Sequence, residues 1–226
     1  MVIDDKLRWD LIHKKTHKGP EVPHSHYAEE KEKLFPRNSL VVDIGGGTGE
    51  DAAYFLNQGH AVVLLDISTF ALQKASEKAK SLNLSEKLVT RQTDYGLHAL
   101  PIKDSSVDVI YSRIALNYFD AEHTARLFHD INRILKPKAK AYISMKSPDD
   151  RDEMEYLEKM TVLFEPNVFI ENGMLRSRFT IEQLKAILNS AGITNADVHL
   201  FDEEIGDRRE GHKQILHLNE VVFAKI

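Results

Sequence analysis

The stretch Val41-Val42-Asp43-Ile44-Gly45-Gly46-Gly47-Thr48-Gly49 runs a β-branched apolar segment directly into a turn of four glycines. Leu40 to Ile44 reads as a strand, and the glycines after it let the backbone approach a ligand where a Cβ would clash. Their spacing separates nucleotide templates. A dinucleotide fingerprint needs glycine at relative positions one, three and six, but counting from Gly45 the chain offers Gly47 and then Glu50. A P-loop needs Gly-Lys-Ser/Thr, which does not follow. Glycine stands instead at positions one, three and five, as Gly45, Gly47 and Gly49.

Outward from this turn, short β-branched runs alternate with segments of helical periodicity. That pattern predicts an α/β fold: a Rossmann-like, doubly wound, mostly parallel sheet with helices on both faces. Strands are expected at His60 to Asp66, Leu88 to Thr93, Val107 to Ser112 and Ala141 to Met145, then near Asp197 to Phe201 and Leu216 to Ala224. Ser68 or Thr69 can cap one helix, Asp120 another that ends before Pro137, and Thr180 with Gln183 forms a capping box for a third. Residues 1–36 read as an N-terminal helical and loop cap carrying Trp9, His13, His17, His24 and His26. Residues 37–226 read as one domain, with a substrate-side insertion at 147–178 over the sheet edge and a charged loop from Asp202 to Gly211.

Composition narrows the partners. The 226 residues carry 30 Lys and Arg against 35 Asp and Glu, a formal charge of −5, so no general attraction to nucleic acid is built in. With no cysteine there is no disulfide, thiolate metal site or cysteine nucleophile. No run of 18 apolar residues occurs, and cytoplasmic residence without membrane association is the expectation. His13 and His17 stand at helical i, i+4 spacing, but no further ligands are evident and no metal is expected.

Glu50 and Asp51 fall where the helix after the glycine turn begins, and there they would repel a pyrophosphate. A phosphate-free ligand suits the place better, and S-adenosylmethionine, with its sulfonium and ammonium, is one. Asp66 ends the second strand, where a carboxylate can accept from both ribose hydroxyls. Asp94 ends the third, with Tyr95 beside it, offering an acceptor for an adenine amino group.

Taken together, Val42 to Gly49, Asp66, Asp94, Leu100-Pro101-Ile102-Lys103-Asp104-Ser105-Ser106-Val107-Asp108 and Ile134-Leu135-Lys136-Pro137 resemble the successive signatures of class I methyltransferases. The likeness spans about residues 38 to 146. It implies a seven-stranded sheet with the last strand antiparallel, and an S-adenosylmethionine-dependent enzyme releasing S-adenosylhomocysteine. Cofactor contacts are implied at Asp43, Gly45, Gly46, Gly47, Gly49, Asp66, Ile67, Asp94 and Tyr95, and after the fourth strand at Ser112 and Arg113. Where the family often has an apolar or histidine-rich stretch, this chain has Ala115-Leu116-Asn117-Tyr118-Phe119. The cap and the compact length are also similar to the tellurite-resistance and thiopurine group, and point to a small-molecule methyl acceptor.

Methyl transfer from a sulfonium is an in-line displacement with a good leaving group, so alignment and water exclusion are the protein's main tasks. Where the acceptor must lose a proton, Tyr118 and either His24 or His26, with His26 preferred, are the candidate catalytic groups. The alternatives are a methyltransferase for RNA or protein, and a catalytically silent module that binds the same cofactor.

Overall fold

The computed structural model describes residues 4–17, 23–205 and 214–226. In chain order its helices are α1 (Asp5–Thr16), α2 (His26–Glu32), α3 (Glu50–Asn57), α4 (Thr69–Ser81), α5 (Ala121–Ile134), α6 (Arg151–Met160) and α7 (Ile181–Ser190). Its strands are β1 (Leu40–Ile44), β2 (Ala61–Asp66), β3 (Leu88–Gln92), β4 (Val107–Arg113), β5 (Leu135–Lys146), β6 (Val162–Glu165), β7 (Val168–Glu171), β8 (Met174–Ser177), β9 (Asp197–Ile205) and β10 (Gln214–Ala224).

Seven strands form one sheet in the order β3-β2-β1-β4-β5-β10-β9. Pairing is parallel from β3 to β5, and β10 alone runs antiparallel to its two neighbours, the topology the sequence implied. The central strands bury both faces, so successive residues feed opposite cores. Val42, Ile44, Leu65 and Ile110 pack with Phe128 and Ile131 of α5 and Leu184 of α7. Val41, Leu64, Val109 and Tyr111 pack with Phe55 of α3, Ala75 of α4 and Tyr27 of α2.

Local chemistry sets the helix ends. Ser68 Oγ accepts from Ala71 N at the start of α4, Asp120 caps α5, and the Thr180–Gln183 box closes reciprocally on α7. Two expectations need correction. β5 begins at Leu135, directly after α5, and runs through Pro137; the register with β4 shifts between Val107 and Val109, and such an irregularity tolerates a residue without an N–H. Asp202 to Ile205, anticipated as loop, belong to β9: Glu203 is buried and Asp202 Oδ1 lies 2.7 Å from His217 Nδ1 on β10. The anticipated loop beyond, residues 206–211, lies outside the described residues.

Residues 151–177 form α6 and a second, three-stranded sheet in the order β6-β7-β8. This unit lies over the carboxyl end of β4, not along an edge of the main sheet. Asn117 makes the join: Ser177 N donates to its carbonyl at 2.8 Å, while its side-chain oxygen accepts from Lys146 N at 2.7 Å. Helix α1 closes the other side. Asp10 Oδ1 accepts from Ser68 Oγ at 2.6 Å and from Phe70 N at 3.0 Å, and Arg8 Nη2 donates to the Asn172 carbonyl at 3.1 Å. Among the described residues no helix is long and apolar enough to cross a membrane.

Burial alone would raise the Asp10 carboxyl, but its bonds from Ser68 and Phe70 and the charges of Lys6 and Lys14 outweigh that and hold it below the ordinary range. A depressed folded pKa contributes stability above the unfolded value of about 3.9, lost as pH falls through the folded value. Faster amide exchange across α1 is therefore expected in Asp10→Ala at neutral pH and in the parent chain under acid, with β1 and β4 amides protected in both; unchanged α1 exchange would remove Asp10 as the anchor. Gly49 caps α3 at φ +79°, and a Cβ there would meet Ala75 Cβ at 2.7 Å. Gly49→Ala should lower stability by roughly 1–3 kcal/mol in urea unfolding.

Candidate active site

β1 lies between β2 and β4, so the chain leaves β1 toward one side of the sheet and returns to it on the other. A crevice opens outside the carboxyl ends of strands at such a switch point. Here it holds a cavity of about 370 Å³, lined by residues following β1, β2, β3 and β4 and by α1 and the β7–β8 turn. That volume suits a small ligand.

Gly45 forms the floor. A Cβ at this position would run into the side chain of Ala115 and stand 2.8 Å from the Tyr95 hydroxyl, so glycine is required for the approach. Asp66, 6% exposed, is held by two backbone donors, Gly47 N at 3.0 Å and Ser68 N at 2.8 Å, and retains acceptor capacity toward the cavity. Burial raises its pKa, opposed by the Ser68 and Gly47 bonds and the nearby His13. Ile67 follows it on the wall. Asp94 Oδ1 accepts from Gly96 N at 3.1 Å and Leu97 N at 3.2 Å, which fixes the loop carrying Tyr95. Arg113 also reaches the cavity, with Nε and Nη2 each 2.9 Å from the buried Glu203 carboxylate.

Gly45, Asp66, Ile67, Asp94, Tyr95 and Arg113 are thus brought together on the cavity surface. The other expected cofactor residues lie behind it. Gly47 holds Asp66 through its N–H, Gly49 caps α3, and Gly46 leaves room for the Asp43 carboxylate. Ser112 is fully buried and donates to the Ile44 carbonyl at 2.9 Å, joining β4 to β1. Glu50, expected to repel an anion, is paired with Lys78 at 2.8 Å and bonded by Thr48, which holds its pKa low against burial. Asp51 is tied to Ser25 and Tyr111.

Across the cavity the wall is aromatic. Trp9 meets Tyr118 edge to face at 4.8 Å, and Phe119 leans on Tyr95 with ring centroids 5.6 Å apart. Burial pushes the Tyr118 phenol above its ordinary value against the pull of Arg176 and Arg178, so it is protonated at neutral pH. It lines the cavity as a neutral phenol. His26 is not part of the cavity: its Nδ1 sits 4.0 Å from Glu29 on α2. The N-terminal histidine that does line it is His13, whose ring covers Gly47. Ile114 shows a further local constraint, a β-branched residue on the cavity wall at φ +55°.

Several lining residues lay beyond the sequence reading although signals for them existed. Asp5, Trp9 and His13 follow i, i+4, i+8 spacing and face the cavity from one side of α1. Asn172-Gly173, both at positive φ, form the hairpin turn between β7 and β8 and bring Gly173, Met174 and Leu175 to the cavity; an Asn-Gly pair is a strong hairpin signal. His123, in the first turn of α5, completes the rim.

Charge in the floor is unbalanced. Asp43 is buried, its Oδ2 has no hydrogen-bond partner among the described residues, and burial reinforced by Asp51, Asp66 and Glu50 pushes its pKa well up. A cationic ligand beside the glycine turn would relieve that repulsion, whereas a pyrophosphate would add to it.

Residues 41–138 match the family described as a methyltransferase domain. Among curated proteins, the malonyl-[acyl-carrier protein] O-methyltransferase of Pectobacterium atrosepticum is 31% identical over 106 residues, 46% of this chain and 38% of that protein. The chain thus spans well under half the length of this relative. Among solved structures, an S-adenosylmethionine-dependent methyltransferase from Methanosarcina mazei superposes with a TM-score of 0.70 at 19% identity, covering 91% of this chain and 99% of that one. The Burkholderia thailandensis 1,6-didemethyltoxoflavin-N1-methyltransferase, solved with 1,6-didemethyltoxoflavin and S-adenosylhomocysteine bound, gives 0.65 at 16% identity over 98% of this chain and 85% of that one. Residues 41–138 thus match a methyltransferase domain, and the sheet order with the glycine turn at the switch point is the fold of solved S-adenosylmethionine-dependent methyltransferases.

Proposed function

We propose that the chain binds S-adenosylmethionine in the cavity above Gly45 and transfers its methyl group to a small-molecule acceptor, leaving S-adenosylhomocysteine. The observation that carries this reading is the division of one cavity of about 370 Å³ into two kinds of wall. Gly45, Asp66 and Asp94 form a polar, acid-rich side at the strand ends. Trp9, Tyr118, Met174 and Leu175 form an apolar side contributed by α1, the loop after β4 and the second sheet.

In this reading Asp66 takes the ribose hydroxyls, Asp94 and Tyr95 the adenine, and the glycine turn the methionine moiety. The bound cofactor supplies a methyl group on a positively charged sulfur. The chain supplies alignment and exclusion of water: α1, latched by Asp10, and the β7–β8 turn, joined to α1 through Arg8, cover the acceptor side. A covered pocket with an apolar wall favours a small acceptor over a folded one. The Burkholderia relative, solved with a small acceptor bound, supports the same size class.

Calorimetry should detect binding of S-adenosylmethionine and S-adenosylhomocysteine but not NADH, with affinity for S-adenosylhomocysteine at least tenfold weaker in Asp66→Ala, about 1.4 kcal/mol. Binding of NADH alone, or an unchanged Asp66→Ala, would sink the cofactor assignment. Because Asp43 is raised by burial and neighbouring acids, a cation placed beside it favours its ionised form. S-adenosylmethionine binding should therefore release a proton and tighten as pH rises, which titrations in buffers of different ionisation enthalpy would detect; no difference between buffers would contradict it.

A further inference from the structure

We propose that His123 is the general base of the acceptor side, oriented by Asp120, and that the acceptor is a planar aromatic molecule bearing an ionisable O–H or N–H. The inference rests on the methyltransferase reading above and assigns chemistry to a residue outside the motifs that led to it.

His123 lines the cavity from the first turn of α5, and its Nδ1 lies 2.7 Å from Asp120 Oδ1. A carboxylate accepts and does not donate, so Nδ1 carries the proton of this bond. In the tautomer with the proton on Nδ1, the lone pair is on Nε2, at the far edge of the ring from Asp120. Asp120 is itself fixed in place as the α5 cap, accepting from His123 N at 2.8 Å. A cavity-lining histidine with one ring nitrogen held by a carboxylate is placed as an oriented base.

Other groups in the cavity fit that role less well. Tyr118 holds its proton, and His13 covers Gly47 beside Asp66, on the cofactor side. The charged neighbours of the α5 terminus are engaged: Glu165 accepts from Ala121 N at 2.8 Å, and Arg126 donates to the Gly96 carbonyl. Glu122 lies in the same first turn as His123. The side chain is 43% exposed, which places it at the rim where an acceptor enters.

The walls define the acceptor's shape. On the acceptor side the Trp9 and Tyr118 rings meet edge to face, and Met174 and Leu175 line the same side, an environment for a flat apolar body. In the step itself the acceptor's O–H or N–H bond breaks and its proton passes to Nε2. The electron pair left on that atom forms the bond to the methyl carbon, while the pair of the carbon–sulfur bond stays on the departing sulfur.

The test uses 4-nitrophenol, whose phenolate is coloured, titrated against pH in the complex with S-adenosylhomocysteine. Bound probe should ionise at least about one pH unit below free probe, a tenfold gain in acidity, in the parent chain. His123→Asn should return the midpoint to that of free probe, and Asp120→Asn, which keeps a good helix cap, should move it most of the way back. Both variants should bind S-adenosylhomocysteine as the parent does. Failure of the probe to bind, or equal midpoints in parent and variants, would overturn the assignment. A His123→Asn variant that loses S-adenosylhomocysteine affinity with the probe midpoint unchanged would place His123 at the nucleoside and overturn it too. Failure of the parent chain to bind S-adenosylhomocysteine would instead strike the cofactor reading on which this one stands.

Discussion

The Asp66 carboxylate accepts from Gly47 N at 3.0 Å and from Ser68 N at 2.8 Å, one bond reaching back to the turn after β1 and the other forward to the start of α4. Both loops of the cofactor side are therefore gauged from a single buried group. Ser68 extends the chain of contacts, since its hydroxyl donates to Asp10 on α1 while accepting from Ala71 N. Strand end, glycine turn, helix cap and covering helix thus share one connected set of polar atoms. In a buried place each unmade bond costs about 1–3 kcal/mol, so the set holds together or loosens together. The glycines serve this arrangement by keeping the backbone close enough for an N–H to meet the carboxylate.

Around that set the charges are sorted. Glu203 is matched by Arg113 and Glu153 by Arg178, so these acids shape the surroundings without adding net charge to the cavity. Asp43 stands apart, buried near other carboxylates with one oxygen unpartnered among the described residues. A site of this kind discriminates by sign: it is poorly disposed to a phosphate and well disposed to a sulfonium or ammonium. Glu50 and Asp51 add to that preference from the start of α3: both push the Asp43 carboxyl up, although Glu50 is also paired with Lys78 and Asp51 accepts from the Tyr111 hydroxyl.

Much of the main sheet is legible in the sequence because its strands are apolar, short and separated by strong caps such as Ser68, Asp120 and Thr180. β5 was legible only in its buried half, since Pro137 and the lysines beside it carry no strand signal and their pairing depends on β4 and β10. β9 was cut short for a related reason: Glu203 lies in the strand because Arg113, 90 positions away, neutralises it. Of the site, the strand-end carboxylates could be read from spacing along the chain. The covering residues could not, because the pairing of α1 with the β7–β8 turn through Arg8 and Asn172 joins positions 164 apart. His13 lines the cavity and His26 does not, because α1 lies across the glycine turn.

In the proposed function the acid-rich side of the cavity holds the adenosyl group and the aromatic side holds the acceptor. A crystal structure of the chain with S-adenosylhomocysteine would show both sides at once. The ribose should lie against Asp66, the adenine beside Asp94 and Tyr95, and the sulfur should face the space bounded by Tyr118 and Met174. An adenosyl group bound elsewhere, or a sulfur facing away from the aromatic wall, would contradict it.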